Sequence, residues 1–115
     1  MEAAEKIVVG LFSLFLLFCA GVHVYGLFVP FNSESTASHT IHLVSYLLCL
    51  YAFHNKSSYG KWMYLAGMIY PVAFHAVCAY STYLHQHRIN GICVLVVVAL
   101  PLAWLWMISG HRKAN

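Results

Sequence analysis

IVVGLFSLFLLFCAGVHVYGLF, residues 7–28, carries no charged side chain beyond whatever charge His23 takes. A soluble helix of this length shows a polar face, and this one has none. About 20 consecutive apolar residues are enough to cross a bilayer. The preceding MEAAEK holds two glutamates against one lysine, and no A-x-A site closes a short apolar core. Those features argue against a cleaved signal peptide. Residues 7–28 therefore read as an uncleaved first span that stops near Pro30.

The rest of the chain agrees. The sequence has 115 residues, 62% of them hydrophobic and 8% charged, with a net charge of +3. Soluble domains carry about 25% charged residues, so a lipid-covered surface is the expectation. The small, scattered positive charge gives no reason to expect a nucleic-acid partner. FNSESTAS, residues 31–38, is a polar connection rich in helix-capping residues, and a second helix is predicted over about 36–54. HNKSSYGK forms the next loop, a third helix is predicted over about 62–84, and a fourth over about 89–109. The predicted fold is all-α, a four-helix transmembrane bundle forming a single integral-membrane domain over residues 1–115.

Orientation follows from the six Lys and Arg residues. Lys6, Lys56, Lys61, Arg112 and Lys113 fall on one side, and Arg88 alone on the other. The positive-inside bias places both termini in the cytoplasm, as in a bacterial inner membrane.

On that topology His23, His39, His42, His75, His85 and His87 lie in the outer half or at the outer rim. His54 and His111 belong to the inner side. Helical steps of three and four gather the polar residues into seams. The second helix carries His39, His42, Tyr46, Cys49 and Phe53. The third carries Pro71, His75, Cys78, Thr82 and His85. The first carries Cys19, His23 and Gly26, and the fourth Asn90, Cys93, Val97, Pro101 and Trp104. Polar residues in spans turn toward the bundle interior, which predicts a common site built from His23, His42 and His75, with His39 and His85 above it. Glu34 is the only acidic residue on the outer side, and no span contains Asp or Glu. The expectation is that these histidines have no carboxylate partner and rely on backbone carbonyls, Ser, Tyr, one another or a ligand.

Neutral imidazole is the commonest metal-binding side chain. A histidine-rich site suits copper or zinc rather than magnesium or calcium, with His23, His39, His42, His75 and His85 as candidate ligands. The second form of this idea is haem b, held by two axial histidines on facing helices, His42 with His75 or His23 with His75, which would imply electron transfer. Two other classes fit the same chain: a non-catalytic accessory subunit of a larger membrane complex or homo-oligomer, and a small transporter or proton relay without a bound cofactor. Cys19, Cys49, Cys78 and Cys93 stand singly within apolar runs and read as small buried hydrophobes. Nothing marks the chain as an enzyme on its own, since G-x-S-x-G, a P-loop and a Ser-His-Asp set are all missing from the sequence.

Overall fold

Four helices run through the residues that the computed structural model describes, 2–29 and 31–109. They are α1 (Ala3–Phe28), α2 (Thr36–His54), α3 (Gly60–Gln86) and α4 (Gly91–Ile108). Pro30, expected to stop the first helix, and His111, Arg112 and Lys113 of the tail lie outside the described residues.

Local chemistry sets the helix starts. The Ser35 side chain accepts the backbone N–H of Ser38 at 3.1 Å and caps α2. Asn90 does the same for Cys93 at 3.2 Å and caps α4. Each cap gives a partner to an N–H that the first helical turn would otherwise leave unpaired. His87 ends α3 in the left-handed region, at φ 52°, and its own N–H reaches back to the Tyr83 carbonyl.

Helices α1, α3 and α4 are long and apolar enough to cross a membrane. In their most apolar stretches only 22%, 22% and 17% of residues are buried inside the protein, so most of their Leu, Ile, Val and Phe side chains point outward. Such a surface fits lipid rather than water. Helix α2 differs. Its first turns hold Ser38, His39, Thr40 and His42, which lower its hydropathy. It is also the helix with the most complete buried stripe: Ser38, His39, His42, Tyr46, Cys49, Ala52 and Phe53. It packs against α1 on one side and α3 on the other, and α4 packs on α3. The polar residues of α2 are therefore sheltered by its neighbours.

Gly67 shows how close α2 and α3 come. A Cβ there would lie 3.0 Å from Cys49 Sγ and 3.2 Å from the Ser45 carbonyl. Close backbone approach of this kind replaces the hydrophobic effect as the cement between helices in lipid.

The chain runs up, down, up and down, so two ends of the bundle can be told apart. At one end Phe12 of α1 meets Phe53 of α2 with ring centroids 4.8 Å apart. Phe53 in turn packs on Tyr64 and Trp106, and Tyr64 Oη donates to the Leu100 carbonyl at 2.9 Å. At the other end gather the C-terminal part of α1, the N-terminus of α2, the C-terminal half of α3 and the N-terminus of α4.

Two expectations are corrected here. The buried face of α4 is Cys93, Val96 and Leu100, rotated from the expected Val97–Pro101–Trp104 line. Helix α4 is apolar on every side, so no polar residue beyond Cys93 marks which way it turns. The second correction is Glu34, which is not remote from the histidines but folds in among them.

Candidate metal centre

The short connection before α2 carries Glu34 inward. The Asn32 side chain accepts the Glu34 N–H at 3.1 Å, a local turn of the kind Asn favours. Glu34 thus sits just ahead of the Ser35 cap, at the positive end of the α2 dipole. Its side chain is only 5% exposed.

Around that carboxylate the histidines assemble. His42 Nδ1 lies 2.6 Å from Glu34 Oε2. Ser38 Oγ donates to the same oxygen at 2.7 Å. Tyr70 Oη is 2.9 Å from Ser38 Oγ; because that hydroxyl already donates to Glu34, Tyr70 is the donor to it. His23 Nδ1 and His39 Nδ1 approach Glu34 at 3.7 and 3.8 Å. Among the described residues, no lysine or arginine pairs with Glu34.

His42 is the centre of the arrangement and is fully enclosed. Its ring stacks on His23 with centroids 4.2 Å apart and planes within 9°. Phe74 and Tyr70 meet it edge-on, at 4.6 and 4.9 Å, and His75 lies 5.3 Å away. These aromatic walls hold the imidazole in one orientation and keep solvent away from it.

The hydrogen bonds of the three inner histidines follow one pattern. His42 directs Nδ1 to Glu34. His23 directs Nδ1 to His39 Nδ1, at 2.8 Å. His75 directs Nδ1 to Cys93 Sγ, at 3.3 Å. In each ring Nδ1 is held by a group on another element or turn, and Nε2 is the nitrogen left for a ligand. His42 Nε2 is buried with no hydrogen-bond partner among the described residues. His75 Nε2 has only a long contact, 3.3 Å to Tyr46 Oη. Histidines that bind metals are oriented in this way by a partner on the second nitrogen.

Two sets of ligand atoms lie close enough to share an ion, His23 with His42 and His75, and His23 with Glu34 and His39; within each, the atoms are within 4.8 Å of one another. The buried histidines are thus positioned for a metal ion. Of the five expected ligands, the structure brings His23, His39, His42 and His75 together. His85 stands exposed near the end of α3, apart from both sets. His75 is the least enclosed of the four that meet.

Sequence reasoning missed Glu34, Ser38, Tyr70 and Cys93 as members of the cluster. One signal pointed to Glu34, the lone acid on its side of the chain. A buried carboxylate needs partners, and histidines are the ones within reach. All four cysteines are free thiols.

No protein-family model matches the chain, and neither does any curated protein or solved structure.

Proposed function

We propose that the chain is a small membrane metal-binding protein whose four helices all span the bilayer as one integral-membrane unit. Both termini lie on the cytoplasmic side of a membrane with the polarity of a bacterial inner membrane. Helix α2, at 19 residues, rises about 28 Å, close to the roughly 30 Å hydrocarbon thickness, and α1 and α3 shield its polar turns. The Lys and Arg distribution supports the orientation, which puts the histidine cluster in the outer half.

His23, His42 and His75 would hold the metal, each through the Nε2 that its Nδ1 partner leaves free. The observation that carries this reading is the buried, unpartnered His42 Nε2 with Glu34 fixing the opposite nitrogen. An unsatisfied nitrogen in an apolar wall costs roughly 1–3 kcal/mol, and coordination removes that penalty. Zinc bonds to imidazole at about 2.0–2.1 Å in the plane of the ring, so loading would draw the three rings inward and tilt His23 and His42 out of their parallel stack. Zinc is favoured over copper(I). The donors are imidazoles, the outer partner of His42 is a carboxylate as in carboxylate–histidine–zinc sites, and the thiol of Cys93 reaches His75 Nδ1, leaving it an outer-sphere role. A three-histidine set would leave zinc a fourth position for another donor.

The same geometry disfavours haem b, and with it the electron-transfer role. His42 and His75 tilt at 55° with centroids 5.3 Å apart, and His42 is stacked directly on His23. Two axial ligands must face each other across a porphyrin, and no slot of that kind separates these rings.

The test is zinc titration of purified full-length protein, with metal analysis after dialysis. One zinc per chain is expected to survive dialysis in wild type and to be lost on dialysis from His42→Ala. Protein that binds neither zinc nor copper in stoichiometric amount would sink the proposal.

A further inference from the structure

Glu34 poses a problem that the three-histidine set leaves unanswered. It is a nearly enclosed carboxylate whose charged neighbours among the described residues are all histidines. Such a group needs a positive partner. His23 Nδ1 and His39 Nδ1 face each other at 2.8 Å beside it, two nitrogens of which only one can carry the intervening proton. Space has been kept for this meeting. A Cβ on Gly26 would collide with the His39 ring, so glycine is what lets His39 lie flat against α1.

We propose that His23, Glu34 and His39 form a second cation position, a receiving station at the loop end, which hands a zinc-class divalent ion to the buried His23–His42–His75 set. This inference rests on the metal reading of the buried set. Two imidazoles with one carboxylate form a donor set that zinc accepts. It lies nearer the helix ends than the buried set, because Glu34 is on the connection and His39 is in the first turn of α2, whereas His42 is one turn deeper.

His23 belongs to both sets. Toward Glu34 and His39 it presents Nδ1; toward the buried set Nε2 is the nitrogen it has left. A neutral imidazole has one acceptor nitrogen at a time, so His23 binds an ion on one edge or the other. The two positions are therefore filled alternately, by one ion. A single carboxylate between two dications would also leave them poorly screened in a low-dielectric interior. As the ion moves from Nδ1 to Nε2 of His23 the ring changes tautomer, Nε2 losing one proton and Nδ1 gaining one beside His39 and Glu34, and Glu34 remains beside both positions through His42.

Cobalt(II), a coloured stand-in for zinc, tests this in the full-length protein. Wild type is expected to take up one cobalt per chain. The His42→Ala/His75→Ala double variant, shown to be folded by circular dichroism and gel filtration, is expected to bind one cobalt about 100-fold more weakly. Its visible spectrum should change because oxygen replaces nitrogen ligands. Adding Glu34→Gln to that double variant should abolish the remaining binding. In stopped-flow loading, Glu34→Gln alone should slow uptake tenfold or more. A folded double variant that holds no cobalt, wild type that binds two, or a Glu34→Gln variant that loads as fast as wild type would each overturn the station while leaving the buried site standing. Wild type that binds no cobalt or zinc at all removes both readings.

Discussion

The two ends of the bundle are held together by different physics. At one end Phe12, Phe53, Tyr64 and Trp106 pack ring against ring, and Leu16 and Leu100 are fully buried. Its buried part holds little that is polar beyond the Tyr64 hydroxyl, which donates to the Leu100 carbonyl; the Ser13–His54 and Trp104–Lys61 contacts lie at its exposed edge. At the other end Glu34, Ser38, Tyr70 and four histidines form one continuous hydrogen-bonded and stacked cluster. In lipid, apolar contact between helices has little advantage over contact with acyl chains, so packing and satisfied polar groups decide association. The aromatic end uses the first, and the histidine end the second. Among the described residues only the second leaves a buried nitrogen without a partner, and an apolar end made by packing alone has no use for one. The difference separates a region that holds the bundle by packing from a region whose buried histidines are positioned for a metal ion.

The comparison is broken hardest by truncating the centre of each end. Glu34→Ala leaves the Nδ1 proton of His42 with only the Ser38 carbonyl at 3.1 Å and the Ser38 hydroxyl with only Tyr70, and is expected to destabilise the fold by about 1–3 kcal/mol, as loss of a buried hydrogen-bond partner does. Phe53→Ala opens a cavity at the opposite end and is expected to cost more, about 3–5 kcal/mol. Unfolding in mixed micelles measures both. Zinc titration then separates them: affinity collapses in Glu34→Ala and is retained by whatever fraction of Phe53→Ala stays folded. Equal loss of zinc binding in the two would mean that the ends are not independent.

A smaller perturbation is Gly26→Ala. The added methyl meets the His39 ring, and overpacking of this kind costs about 1–3 kcal/mol. On α1 an alanine otherwise improves helix propensity by up to about 1 kcal/mol, so a net stabilisation in the unfolding curve would show that His39 is free to move aside. Cys93→Ala removes the group beside His75 Nδ1 and is expected to weaken zinc binding about 10–100-fold, the usual effect of losing a partner behind a ligand. Circular dichroism should show no change in helix content. The smallest effects belong to Ser13→Ala and His85→Ala. Ser13 Oγ contacts His54 Nε2 at 2.8 Å, an exposed link between α1 and α2 at the aromatic end. Its removal should reduce stability by about 0.6 kcal/mol and leave zinc affinity within twofold. His85→Ala should change neither quantity, and a tenfold loss of zinc affinity there would place His85 in the site after all.

The stripe His39, His42, Tyr46, Cys49 and Phe53 was readable from spacing alone, and all five are buried on α2. It could be read because polar residues on an apolar helix are costly in every direction but inward. Helix α4 offered no such contrast. Its buried face of Cys93, Val96 and Leu100 differs from its exposed face by packing, not by polarity. On α3 the seam was followed too far: Pro71 is buried and His75 half-buried, but His85 near the helix end is exposed, where the neighbouring helices no longer cover it.

What the sequence determined by itself is the helical class, the apolar character of three long helices, and the helix faces that carry His23, His42 and His75. These depend on residue type and period, both of which are local. What only the tertiary structure decided is the chemistry at those histidines. Glu34 is five residues before His39 and eleven after His23 in the chain, yet it touches four partners from two helices. Cys93 reaches His75 from the start of another helix. Each imidazole has two nitrogens, and which one is held and which is free depends on contacts made across the bundle. No period in the sequence carries that information, because a hydrogen bond between helices is set by where the backbones meet.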